Sequence, residues 1–134
     1  MNTHKLLLSL ITTFCSYAAL TDFVVETSSG IVDGYKKNRV VYWDDIPYAK
    51  PPVGDLRWKA PRRIINSRAE ISSKDDNFCV QRPSSLGGAD GDGPFVGSED
   101  CLYLDISAPL KSSSNPLPVM FWIHGGGNTS GLKD

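Results

Sequence analysis

Pro118-Val119-Met120-Phe121-Trp122-Ile123-His124-Gly125-Gly126-Gly127 is an apolar run that stops at a histidine and three consecutive glycines. Five bulky residues in a row, Val119 to Ile123, read as a strand buried on both faces. A buried strand that ends in glycines fits three kinds of turn. As a dinucleotide turn, Gly125-x-Gly127 followed by Gly131 is one residue too long for the phosphate-binding fingerprint. As a structural loop, the glycines serve only to turn the chain. As an oxyanion hole, they present backbone N–H groups to the negative charge that acyl transfer builds on a carbonyl oxygen. Glycine suits the third role because it tolerates positive φ and has no side chain to block a substrate.

The turn sits near the end of 134 residues, enough for one small domain. With 40% hydrophobic and 22% charged residues, wholesale disorder is excluded. A formal net charge of −1, with no basic surplus and no block of like charge, argues against a nucleic-acid partner. At the other end, His4 and Lys5 precede an apolar stretch from Leu6 to Phe14, and Ser16-Tyr17-Ala18 fits a small-x-small cleavage site. Residues 1–18 therefore read as a secretory signal peptide and residues 19–134 as what remains. The apolar stretch is too short to span a bilayer, so no membrane span is expected. Bulky Phe14 weighs against a lipoprotein reading of Cys15, and a buried N-terminal helix is the alternative to a leader.

Secretion changes the meaning of the cysteines. Cys79 and Cys101 remain after the leader is removed, an even pair in an oxidising compartment, and a disulfide is the default. Two free thiols are the alternative. A bridge would close a loop of 21 intervening residues, which the chain-entropy estimate values at roughly 3 kcal/mol. Without a nearby histidine the pair makes a poor zinc site, and nothing else in the chain implies a metal or a cofactor.

Phe23 to Thr27, a Ser28-Ser29-Gly30 turn and Ile31 to Tyr35 read as a β-hairpin. Lys36 to Arg39 reads as a charged tip, and Val40 to Trp43 as another strand. Pro47, Pro51 and Pro52 then place three prolines in six positions. They exclude both helix and central strand and predict a stiff extended segment. A linker between domains is the rival reading, disfavoured by Tyr48, Leu56 and Trp58 so close together. Ile64 to Phe78 has no clear period. Pro83 to Gly97 holds five glycines and reads as a flexible loop inside the Cys79–Cys101 span. Leu102 to Ile106 reads as a strand ended by Pro109, and Lys111 to Pro116 as a polar turn.

Three of these segments carry a family resemblance. Ile46-Pro47-Tyr48-Ala49-x-Pro51-Pro52-x-Gly54-x-Leu56-Arg57-Trp58 closely resembles the N-terminal signature of the type-B carboxylesterases, the cholinesterase and carboxylesterase family. Ser98-Glu99-Asp100-Cys101-Leu102-Tyr103-Leu104-Asp105-Ile106 resembles its second signature, in which asparagine is usual at the Asp105 position. Pro118 to Gly127 resembles its oxyanion-hole strand. The three stand in the family's order and span most of residues 19–134. The resemblance implies the α/β class and the α/β-hydrolase fold, with only the N-terminal strands and the oxyanion-hole turn in this chain. It implies hydrolysis of a small-molecule carboxylic ester through a serine acyl-enzyme. Gly126 and Gly127 would supply two of three oxyanion N–H groups. Cys79 and Cys101 match the family's first disulfide, and Arg57 and Glu99 a structural ion pair. His124 is not the implied base, because the family carries its catalytic histidine far downstream. Its implied role is to shape the loop.

The departures are as informative. Asp45 stands where the family commonly has glycine, and Asn128 where an aromatic residue commonly follows the third glycine. The Cys79–Cys101 loop lacks the tryptophan that choline-binding members use as a cation–π platform, which argues against a cholinesterase. Asn128-Thr129-Ser130 is a formal glycosylation sequon. A glycan there would obstruct the acyl site, so it is expected to be unused. No Gly-x-Ser-x-Gly occurs, and the nucleophile, acid and base of a triad are absent from these residues. An oxyanion hole without its nucleophile retains little catalysis, so residues 1–134 alone are expected to be inactive. They are also expected to fold poorly, with an unpaired hydrophobic edge at Val119–Ile123. The alternative function is a secreted, non-catalytic cholinesterase-like binding or adhesion protein, which would not need the triple glycine.

Overall fold

The computed structural model describes residues 23–65, 67–72, 77–111 and 114–133. The signal-peptide reading of residues 1–18 and the question of Cys15 lie outside them. Two three-stranded sheets carry the described residues. The first has the order β1-β2-β5, where β1 is Val24–Thr27, β2 is Gly30–Asp33 and β5 is Glu70–Ile71. The second has the order β3-β4-β6, where β3 is Tyr35–Lys37, β4 is Val40–Pro47 and β6 is Tyr103–Pro109. The described residues contain one helical feature, a single 3₁₀ turn at Gly54–Leu56.

The β1–β2 hairpin closes on Ser28-Ser29 because Thr27 shapes the turn. The Thr27 hydroxyl oxygen accepts from the N–H of Ser29 and of Gly30 at 3.1 Å each, and donates to the Gly30 carbonyl at 2.8 Å. A threonine hydroxyl that competes for local backbone groups favours such a reversal. β5 joins β2 in parallel, pairing Ile31 with Glu70 and Val32 with Ile71. The chain passes from the first sheet to the second at Gly34. There the Phe23 carbonyl accepts both the Gly34 N–H at 3.1 Å and the Trp43 indole N–H at 2.7 Å, which ties the sheets at one corner.

β3 and β4 form a second hairpin around Asn38 and Arg39, with Asn38 at φ 58°. The expected charged tip is therefore shorter than Lys36–Arg39, because Lys36 and Lys37 pair with Val41 and Val40. β4 is the centre of its sheet and corrects a second expectation. Ile46 and Pro47 belong to this central strand, paired with Leu104 and Tyr103. The prolines end the strand instead of excluding it. Pro47 is its last residue, where a missing N–H costs least, and the next donor, Tyr48 N–H, bonds the Leu102 carbonyl at 3.0 Å.

The β4–β6 register carries a bulge. Trp43 faces Ile106 and Ile46 faces Leu104, so Asp44 and Asp45 together oppose Asp105 alone. Asp45 takes φ 60° at this point. The extra residue breaks the in–out alternation, and Asp45 and Ile46 are buried in succession. A left-handed conformation costs a side-chain-bearing residue roughly 1–2 kcal/mol, least for Asp and Asn. That is the physical reason glycine is favoured at such a place.

Val119–Ile123 forms no strand. The run is extended, and its five side chains are 76–95% exposed. Five bulky residues supply the propensity and the hydrophobic pattern. A strand also needs a neighbouring ladder, and among the described residues none lies alongside it. The run is exposed and unpaired among the described residues, but it is not the expected strand edge. The buried apolar residues among those described are correspondingly few: Val32, Val41, Ile46, Ala49 and Ala89.

Tyr35 and Tyr42 face each other across β3 and β4 with stacked rings, centroids 5.5 Å apart. The Tyr35 hydroxyl donates to Asp44 Oδ2 at 2.8 Å. Ionising Tyr35 would lose that bond and set a phenolate beside a carboxylate, so its pKa is raised above the ordinary 10.0, chiefly by the Asp44 bond. Because the folded value is the higher one, this contribution is present at neutral pH and is lost as pH rises through it. An NMR titration of the tyrosine rings should show Tyr35 ionising above its ordinary value and Asp44→Ala shortening the delay. Equal midpoints in parent and variant would contradict the assignment.

Candidate functional site: the glycine turn and its anchors

The glycine turn is exposed along Val119–Thr129 and becomes buried only at its exit. Gly126 has φ 116° and Gly127 φ 61°. The Gly126 carbonyl faces into the turn. It accepts the Thr129 N–H at 3.1 Å, the Thr129 hydroxyl at 2.9 Å and the Ser130 N–H at 3.3 Å. Asn128 sits at the tip with φ 59°. Before the turn, His124 Nδ1 lies 2.8 Å from the Gly125 carbonyl. A carbonyl only accepts, so Nδ1 carries the proton in this contact.

The exit is held by one buried side chain. Gln81 is 6% exposed. Its Nε2 donates to the Gly131 carbonyl and its Oε1 accepts the Gly131 N–H, both at 2.9 Å. This two-point amide pair imitates a rung of a sheet. Gln81 Nε2 also donates to the Cys79 carbonyl at 3.1 Å. Glycine is required at position 131. Its φ is 146°, and a Cβ there would strike the His124 ring.

Gln81 is itself fixed by the base of the cysteine loop. Cys79 and Cys101 are disulfide-bonded, with Cα atoms 4.9 Å apart. Gln81 and Val96 exchange backbone hydrogen bonds of 3.0 and 2.9 Å. Within the loop, the Ser84 N–H bonds the Ala89 carbonyl at 2.9 Å, Ala89 is buried, and the Arg82 guanidinium lies 5.7 Å from the Phe95 ring centroid. The loop expected to be flexible from its glycines is therefore braced by backbone bonds as well as by the crosslink. Arg57 reaches Glu99 at 2.7 Å and so ties the proline segment to the loop's exit. Both partners are about half exposed, and an exposed pair contributes about 0–1 kcal/mol.

The sequence-derived residues thus fall into one connected chain of contacts. The disulfide positions Gln81, and Gln81 positions the exit of the turn that carries Gly126 and Gly127. Arg57 and Glu99 meet at the edge of the same loop. Gln81 and Gly131 were not legible as anchors, because the amide pair spans fifty residues and has no local pattern. The two departures, Asp45 and Asp105, also meet: Asp105 Oδ1 accepts the Asp45 N–H at 2.8 Å. Among the described residues, no group of three or more His, Cys, Asp or Glu side chains is arranged to hold a metal ion.

Gly87 supplies a control for Gly131. Its φ is 87°, and a Cβ there would meet nothing within 4 Å. Both alanine substitutions carry the backbone penalty, but only Gly131→Ala also displaces a buried amide pair. Chemical denaturation should find Gly131→Ala less stable than Gly87→Ala by about 1–3 kcal/mol, the cost of leaving buried polar groups unpaired. Equal stabilities would mean that the Gln81 pair is not the anchor.

Comparison with known proteins shows the family. The profile of the family described as the carboxylesterase family matches residues 21–134. The juvenile hormone esterase of Tribolium castaneum is 42% identical over 127 residues, covering 88% of this chain and 21% of that protein. The para-nitrobenzyl esterase of Bacillus subtilis is 41% identical over 107 residues, covering 80% of this chain and 22% of that protein. A solved thermophilic PNB esterase is 40% identical with a TM-score of 0.66, covering 81% of this chain and 22% of that one. The chain thus spans about a fifth of the length of the relatives it matches. It belongs to the carboxylesterase family, and it carries N-terminal strands of the α/β-hydrolase fold.

Proposed function

We propose that these residues are the N-terminal part of a secreted carboxylic-ester hydrolase that works through a serine acyl-enzyme. In this reading residues 1–18 are the leader removed on export. Gly126 and Gly127 are two of the N–H donors for the oxyanion, and the substrate is a small-molecule ester. The observation that carries the reading is the turn itself. Two glycines of positive φ follow an apolar run, and among the described residues no acceptor takes up the N–H of either one. In a dry site such donors bond the carbonyl oxygen more strongly as it becomes tetrahedral and negative, and so lower the barrier rather than merely bind substrate.

The nucleophile and the proton-transfer groups belong to the rest of the hydrolase, since residues 1–134 contain no Gly-x-Ser-x-Gly. In this reading the base lies elsewhere in the hydrolase, and His124 supports the loop through the contact of its Nδ1 with the Gly125 carbonyl. Asn128 stays unglycosylated, because a glycan at the tip would crowd the same oxyanion site. Deglycosylation with an endoglycosidase should leave the mass of the peptide containing Asn128 unchanged.

Two preparations test the activity. The whole hydrolase of which these residues are the N-terminal part, hereafter the full chain, should hydrolyse a p-nitrophenyl ester, and residues 19–134 alone should not exceed background. A Cβ on Gly126 would collide with the Ser130 carbonyl, so Gly126→Ala must move the donors. In the full chain it should lower kcat about 10²–10³-fold, the typical loss for one oxyanion donor. An inactive full chain, or an unchanged kcat in a folded Gly126→Ala, would overturn the proposal.

A further inference from the structure

We propose that Lys133, clasped between the carboxylates of Asp45 and Asp105, is a positioning residue that fixes where the glycine turn rejoins the sheet. The inference rests on the esterase reading for what the turn does, and on geometry alone for the clasp. Lys133 Nζ lies 2.8 Å from Asp105 Oδ2 and 3.1 Å from Asp45 Oδ1. The contact with Asp105 is a hydrogen bond. The contact with Asp45 is an ion pair without hydrogen-bond alignment at that oxygen. The side chains of Lys133, Asp105 and Asp45 are 19%, 24% and 3% exposed. The ammonium therefore leaves the bulk of its water to sit over the bulge.

The bulge itself does not need these charges. Its left-handed residue would be less strained as glycine, and an amide oxygen at position 105 would also accept the N–H of residue 45, though less strongly than a carboxylate. What the two acids add is negative charge at one point, half of it in a buried side chain. A buried charge is costly unless paired, and Lys133 arrives as the pair from six residues beyond Gly127. Gly131, two residues before it, is bonded to Gln81. The C-terminal flank of the turn is thus pinned twice, once by a neutral amide and once by charge. The N-terminal flank, Val119–Ile123, is exposed and joins no sheet among the described residues. The placement of the Gly126 and Gly127 amides is set from the Lys133 side.

The test uses hydrogen exchange on the full chain, read without substrate, so it stands whether or not the chain hydrolyses esters. Lys133→Met should speed exchange across residues 124–131 by roughly tenfold or more, while the β1–β2 hairpin keeps its protection. Adding Asp45→Gly and Asp105→Asn to Lys133→Met should restore slow exchange, because neutral partners no longer need the ammonium. Unchanged exchange in Lys133→Met overturns the proposal, as does a triple variant no better protected than the single one. If Lys133→Met fails to fold, recovery of a folded triple variant supports the clasp. Failure of the triple variant overturns it. In the active full chain the same substitution should lower kcat by up to about 10²-fold with KM little changed, the cost of a small misplacement. A loss confined to KM would place Lys133 in substrate binding instead.

Discussion

The bulge on β4 is the constraint on which the rest of these residues depend. One extra residue, inserted opposite Asp105 in the central strand of its sheet, turns two consecutive residues inward. It gives Asp45 a left-handed backbone and buries Ile46. It also aims the strand's exit, so that Pro47 ends the ladder and the proline segment leaves over the surface toward Arg57. Without the bulge the strict alternation of β4 would send the Asp45 carboxylate or the Ile46 side chain to the wrong face. The partner of Lys133 would be lost with it.

From that point the glycine turn is held by side chains more than by a strand ladder. Gln81 supplies one rung, and Lys133 two charge contacts. The disulfide and the Gln81–Val96 bridge keep Gln81 in place. Each anchor lies downstream of Gly127 in the chain or reaches the turn from the cysteine loop. Side-chain anchors of this sort fix a backbone position without occupying the backbone N–H groups of Gly126 and Gly127. Donors left for a ligand are what an oxyanion site needs.

The parts of this arrangement legible in the sequence are those with local causes. The β1–β2 hairpin followed from a serine–glycine turn between β-branched runs, and the disulfide from cysteine parity together with the expectation of an oxidising compartment. Arg57 and Glu99 came from resemblance, and the contact forms. Position 45 was legible only as a departure from glycine; the reason is a bulge, which no periodicity announces. Pro47 reads as a strand breaker from sequence, whereas its position as the last residue of β4 removes most of the penalty. Gln81 and Lys133 left no trace, since their partners are fifty and twenty-eight residues away in sequence. The strand reading of Val119–Ile123 failed for a related reason. Propensity belongs to a segment, but a ladder belongs to a pair.

That failed strand separates two requirements the sequence had fused. Val119, Met120, Phe121, Trp122 and Ile123 expose most of their surface, and each such side chain would gain about 1.5–3 kcal/mol on full burial. The driving force to cover them is large and non-directional. It can attract any apolar face, and an unpaired extended run is also a template for unwanted strand pairing. In the role proposed for them, Gly126 and Gly127 cannot be placed by a force of that kind, because oxyanion donors must be held to within a fraction of an ångström. Directional contacts, an amide pair and an ion pair, anchor the other side of the turn. Burial of the run can then stabilise the fold while the geometry of the turn is set by Gln81 and Lys133.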